Sequence, residues 1–268
     1  MMRKLLALLS SGLLLATTAG AQTVIDFETE DDFTTPLVNG QIVDPAFDAA
    51  SPEFGNIFTL TTTTNGHIGA TIFDSDPLGP NKFGGDPDLL IDQGNLLILQ
   101  NSSLTNQFND PTYGLLYTEP DDEAGVTFGA GILFSFLNPV EMLSLDLIDA
   151  NGGYGADVTL TDSAGNTRLY VVPEMWTEDA FSCVQPCNGF ETLDLTSLSP
   201  QLGEGGFSTT VVNGAGFDAA DVLFLTVAYT GSSSSGGIDN VTFVPEPTTA
   251  VLVGLGLLGL GIARRRAA

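Results

Sequence analysis

Between Gln22 and Phe243 the apolar residues come in short runs, most of them alternating with polar ones. In Met142–Ile148 (MLSLDLI), Leu143, Leu145 and Leu147 fall on one face and Ser144 and Asp146 on the other; in Ala156–Asp162 (ADVTLTD), Val158 and Leu160 do the same. Successive side chains of a strand point to opposite faces, so this alternation predicts half-buried β-strands. No 11-residue window holds the 3.6 period of an amphipathic helix for long. Asp221–Tyr229 (DVLFLTVAY) is apolar on both faces and reads as a central strand. Further strands are predicted at Thr23–Phe27, Asn56–Thr62, Leu96–Leu99, Gly131–Leu137, Thr167–Val172, Phe190–Asp194 and Gly237–Phe243.

Turn residues separate these runs: Asn39-Gly40, Asn65-Gly66, Asp76-Pro77, Asn151-Gly152-Gly153 and Asp162–Asn166 (DSAGN). Many short strands joined this way predict an all-β fold, a single antiparallel β-sandwich of jelly-roll-like topology. Thr230–Gly237 (TGSSSSGG) precedes a last strand and reads as a surface loop, so residues 22–243 are expected to form one domain.

The two ends break the pattern. Met1-Met2-Arg3-Lys4, the apolar Leu5–Leu15 and Ala19-Gly20-Ala21 are the three parts of a cleavable signal peptide in the right order, over residues 1–21. At the other end, Ala250–Ala263 carries no polar side chain, and Thr248 and Thr249 extend the run to 248–263. As a helix it reaches roughly 21–24 Å against a hydrocarbon core of about 30 Å, a short single span. Arg264, Arg265 and Arg266 follow at once and would hold the C-terminus on the cytoplasmic side, with everything before Val244 outside. GLGLLG (Gly254–Gly259) matches the dinucleotide fingerprint in letters only, since it has no βαβ context.

Charge divides with the segments. Residues 22–243 hold 32 acids against Lys82 and Arg168, a formal −30. Such a domain excludes binding of nucleic acid by charge and attracts cations. Cys183 and Cys187 in SCVQPCNG, exported to an oxidising compartment, are expected to close a small local disulfide. A zinc site lacks ligands, because His67 is the one histidine.

No nucleophile–base pair is visible, and Glu119–Glu123 (EPDDE) reads as a solvated loop, so the chain reads as non-enzymatic. Calcium is the better candidate. DSDPLGPNKFGGDPDLLIDQGN packs Asp74, Asp76, Asp86, Asp88 and Asp92 with Asn81 and Asn95 into 22 residues, the oxygen ligands that a hard cation takes. A second candidate site joins VIDFETED to GGIDNVTF, placing Glu28 or Asp26 near Asp239 if the first and last strands are neighbours.

Val244-Pro245-Glu246-Pro247, the glycine-rich apolar run and Arg264-Arg265-Arg266 together resemble the PEP-CTERM sorting signal of Gram-negative bacteria, a tail also classed with the C-terminal domain of ice-binding proteins. The resemblance covers 244–268 and implies an exosortase partner, transient residence in the inner membrane with the domain in the periplasm, and final delivery to the cell surface or outside. Two prolines one residue apart would hold the peptide extended. More loosely, GGDPDLL, GNLLILQ, EPDD, DSAGN and GGIDNVTF resemble sandwich domains that precede such tails. Among similar sandwiches are carbohydrate-binding modules, whose structural calcium engages an early acid and a late Asp, here Glu28 and Asp239. The function expected is therefore that of an exported surface or matrix protein binding polysaccharide. The alternatives are a secreted polysaccharide-active enzyme using two carboxylates and, on the Thr59–Thr64 run, an ice-binding protein.

Overall fold

The computed structural model describes residues 21–48, 54–62, 69–83, 87–101, 103–122, 130–150, 155–177, 188–230 and 236–246. All but Ala21 fall within one compact unit, Gln22–Glu246. The signal segment, Cys183, Cys187, His67, Asp86, Pro247 and the arginine cluster lie outside the described residues. Among the described residues there are thirteen strands and no helix. They are β1 (Thr23–Ile25), β2 (Phe58–Thr62), β3 (Ala70–Asp74), β4 (Asn95–Leu99), β5 (Gln107–Asp110), β6 (Gly114–Tyr117), β7 (Gly131–Ile148), β8 (Ala156–Asp162), β9 (Thr167–Val172), β10 (Phe190–Asp194), β11 (Thr210–Asn213), β12 (Val222–Tyr229) and β13 (Gly237–Pro245).

Apart from the β5–β6 hairpin the strands form one continuous 11-stranded antiparallel sheet, and its architecture turns on β7, an 18-residue strand that joins a first and a second sheet into that whole. Its first part, 132–136, lies between β2 and β12, giving the antiparallel order β11-β9-β8-β12-β7-β2. Its second part, 144–148, lies between β10 and β13, giving β10-β7-β13-β4-β3, with β1 beside the later residues of β13. Pro139 sits at the crossing, where the missing N–H costs no ladder bond that a straight strand would need. The sequence reads this stretch as two strands; the chain spans both without leaving the ladder.

The two sheets enclose one core. Leu97, Leu99, Leu145, Leu147, Ile238 and Val241 meet Phe134, Val158, Leu160, Leu225 and Val227. A chain of phenylalanine rings runs through it: Phe58 stacks on Phe54 at 4.9 Å and meets Phe134 edge-on at 5.3 Å, and Phe136 meets Phe243 at 5.3 Å. β12 is central, paired on both sides, as its two apolar faces require. β4 is buried on both faces for another reason. Leu97 and Leu99 point into the core, while Leu96 and Ile98 join Phe73, Leu89 and Ile148 in a smaller cluster over the outer face of the second sheet. Asp146, which alternation assigns to solvent, is buried as well.

One glycine fixes the position of the β5–β6 hairpin. Gly40 has φ +81°, and a Cβ there would stand 2.2 Å from the Tyr117 carbonyl oxygen. The Tyr117 N–H donates to the Gly40 carbonyl at 2.7 Å, tying the end of β6 to the Asn39-Gly40 turn.

Candidate functional site

The first and last strands are neighbours: β1 pairs with β13 in the register Ile25 with Val241. This brings Asp26 and Glu28, just past β1, to Asp239 on β13. The next neighbour adds Asp146, directly opposite Asp239 on β7. Asp146 and Asp239 are 7% and 2% exposed. Asn240, at φ +49° where the ladder bulges, bridges the pair: its N–H donates to Asp239 Oδ1 at 2.7 Å, and its Nδ2 donates to Asp239 Oδ2 at 3.1 Å and Asp146 Oδ2 at 2.9 Å. Thr192 Oγ1 on β10 donates to Asp146 Oδ1 at 2.5 Å. Glu28 lies over Gly94, whose lack of a side chain leaves room for it, and accepts the Asn95 N–H at 2.8 Å.

Burial, and then the charges of Asp146, Asp26 and Glu28, push the Asp239 carboxyl up to about 8, against the Asn240 N–H that favours its ionised form. The cluster therefore carries a proton at neutral pH. Two facing carboxylates are what a glycosidase uses. Here the pair is buried and lines neither of the two clefts described below. The oxygens of Asp146 and Asp239 accept bonds from Asn240 and Thr192, and among the described residues no three acidic, His or Cys side chains are placed as they stand to hold a metal ion.

The acidic stretch 74–95 is spread out. Asp74 and Asp76 accept the N–H groups of Asp76 and Leu78 and so shape turns. Asp88 Oδ1 is buried without a hydrogen-bond partner, and Asp92 takes φ +59°. Of Glu119–Glu123, Glu123 lies outside the described residues, and the rest differs from a solvated loop at its two aspartates. Asp121 and Asp122 are buried, the Asn101 N–H donates to the Asp121 carbonyl at 2.6 Å, and the Gly236 N–H donates to Asp122. The side-chain amides of Gln100 and Asn101, which bind the Glu119 carbonyl and the Asp121 carboxylate, hold this stretch against the fold.

The loops that leave β3 and β6 enclose a cleft of about 490 Å³. Pro80, Asn81 and Phe83 come from the first loop, and Thr118, Glu119 and Asp121 from the second. Asn81 is fixed by reciprocal side-chain bonds with Asn39 at 2.9 and 2.8 Å and by the Asp74 carbonyl at 2.9 Å. Gln100 fixes the opposite side through the Glu119 carbonyl at 2.9 Å. Phe83 is 90% exposed, and Lys82 Nζ stands 5.0 Å from its ring centre. Arg168, the other cation of the unit, is buried against Phe217 and bound to Asn213 and Leu195, which leaves Lys82 as the exposed one. Trp176, Tyr117, Tyr170 and Tyr229 are buried, so among the described residues the fully exposed aromatics are phenylalanines. Sequence reasoning missed this cleft; an aromatic beside the domain's rare lysine in a Gly/Pro/Asp loop was its one signal.

The sorting motif begins inside the fold. Val244 and Pro245 are the last residues of β13, opposite Glu141 and Val140, and the Glu246 N–H donates to the Pro139 carbonyl at 3.3 Å. A groove of about 150 Å³ lies beside them, between Phe33, Asn138, Phe243 and Pro245. Among the described residues no helix is long and apolar enough to cross a membrane.

Residues 243–266 match the family described as the PEP-CTERM protein-sorting motif, so the chain carries that motif. No curated protein matches the sequence. Among solved structures the chain is similar to a family 11 carbohydrate-binding module from Clostridium thermocellum in complex with a β-1,3-1,4-mixed-linked tetrasaccharide, at 11% identity and TM-score 0.31, over 78% of this chain and 97% of that one. A likeness of that size does not carry the module's ligand over to this chain.

Proposed function

We propose that the chain is an exported, non-enzymatic protein of the cell surface or extracellular matrix, handled by an exosortase through residues 244–268, and that its jelly-roll-like sandwich binds polysaccharide. The sorting half rests on the motif at 243–266. On this reading 248–263 spans the inner membrane transiently, the arginines stop it there, and the sandwich faces the periplasm until processing. Intact masses from each cell fraction test it: the mature chain should lack residues 1–21 and the tail, and a full-length mass in every fraction would refute it.

The binding half rests on one observation, the exposed Phe83 ring over a polar cleft with fixed walls. The apolar C–H face of a sugar ring fits an open aromatic surface, and its hydroxyls find a hydroxyl partner in Thr118 and a carboxylate partner in Glu119, both exposed at the cleft. A domain at formal −30 repels anionic chains, so the ligand we propose is a neutral polysaccharide. The full chain run through gels containing neutral glycans should be retarded, and unchanged mobility across a broad panel would remove this half.

Calcium enters as a separate proposal. An ion among Asp26, Glu28, Asp146 and Asp239 would do what the proton on Asp239 does, once the Asn240 amide turned away. Added calcium should then raise the melting temperature and EDTA reverse it. Unchanged melting would leave the proton as sole occupant.

A further inference from the structure

The last strand of the sandwich and the start of the sorting motif are the same residues. The matched motif starts at Phe243, while β13 continues to Pro245 and the compact unit closes at Glu246, so the boundary of the fold falls inside VPEP. Enzymes that process peptides take the backbone extended and pair with it as an added strand. Here β7 already holds one side of that backbone, through Val244 opposite Glu141, Pro245 opposite Val140 and the Glu246 N–H on Pro139. The other side borders the groove at Phe33, since β1 accompanies β13 only from Val241 to Phe243.

From this, and resting on the sorting reading above, we infer that the sandwich gates its own processing: the sorting enzyme acts only after residues 244–246 have come away from Pro139–Glu141 of β7. The gate is light by construction. A proline stands on each strand of the pair, Pro139 and Pro245, and neither can donate to the ladder. Strand ends held by two or three hydrogen bonds fray readily, and that number corresponds to an open fraction of about a tenth to a hundredth. The remainder of β13, paired with β1, β4 and β7, stays folded while the end opens.

The test follows conversion of the full chain by pulse-chase in cells that carry an exosortase, read by intact mass. One variant inserts six Gly/Ser residues between Phe243 and Val244, which frees the motif and leaves Gly237–Phe243 in place. The other combines Glu141→Cys with Val244→Cys, whose paired positions suit a disulfide. The bridged form should not be processed until a permeant reductant is added, after which it should convert at the rate of Val244→Cys alone. The insertion should speed conversion by up to about tenfold to a hundredfold, the inverse of the open fraction. Conversion of the bridged form at the reduced rate overturns the gate whatever the insertion does. A wild-type chain that is never processed overturns the sorting reading instead, and the gate with it.

Discussion

The carboxylate cluster at Asp239 and the cleft at Phe83 are built from the same acidic composition and end with opposite properties. At Asp239 the acids are buried in the sheet, bridged by Asn240 and Thr192, and relieved by a proton. At Phe83 the acid Glu119 stands exposed beside an open cleft with an aromatic ring and Lys82. The difference comes from backbone position. Strand register forces Asp146 and Asp239 together whatever their charge, whereas the loop after β6 leaves Glu119 exposed beside a solvent-filled space. A closed site responds to protons and an open one to ligands.

The comparison breaks first on pH. The Asp239 pKa is about 8 in the folded chain and near 3.9 unfolded, so the folded state holds an extra proton between those values. Its contribution to stability is complete below about pH 4 and is lost as pH rises toward 8, by at most about 1.4 kcal/mol per unit. Glu191 and Asp157, both raised by burial, add in the same direction. Melting temperature should therefore fall by several degrees from pH 5 to pH 8, and Asp239→Asn should flatten most of that fall. An equal slope in the variant would show that Asp239 does not carry the pH dependence.

The second effect belongs to the open site. Phe83→Ala should weaken binding of a neutral polysaccharide about tenfold by affinity electrophoresis, and leave the melting curve where it is, because the ring is exposed. Loss of stability without loss of binding would place the ring in the fold instead. Third, Asn81→Ala removes three hydrogen bonds that fix the cleft wall, and should cost about 1 kcal/mol of stability together with a few-fold of affinity. The smallest expected effect is Lys82→Ala, within about twofold in affinity for a neutral glycan. A larger loss, with strong salt dependence, would point to an anionic ligand.

Much of this was legible in the sequence. The strands at 156–162, 167–172 and 190–194 follow from alternation alone. The meeting of Glu28 with Asp239 follows from supposing that the end strands pair. β3 was missed because Ala70–Phe73 is buried throughout and does not alternate, and β5 and β11 because they are short and exposed. Asp146 escaped because period two in Met142–Ile148 assigns it to solvent, and only its tertiary neighbours Asp239, Asn240 and Thr192 decide that it is buried. The cleft was beyond reach because Asn81 and Asn39 lie 42 residues apart, and Asn81 and Glu119 nearly as far.

β7, which belongs to both sheets, also decides how the molecule would bear a load. A pull on residue 246 along the strand enters through β13, which lies flanked by β7 on one side and β1 and β4 on the other. After the short end at 244–246 yields, the remaining bonds stand in parallel and share the force, so they must fail together. The neighbour that takes most of it continues into the other sheet. A domain tethered by its C-terminus would thus be held by its own central strands.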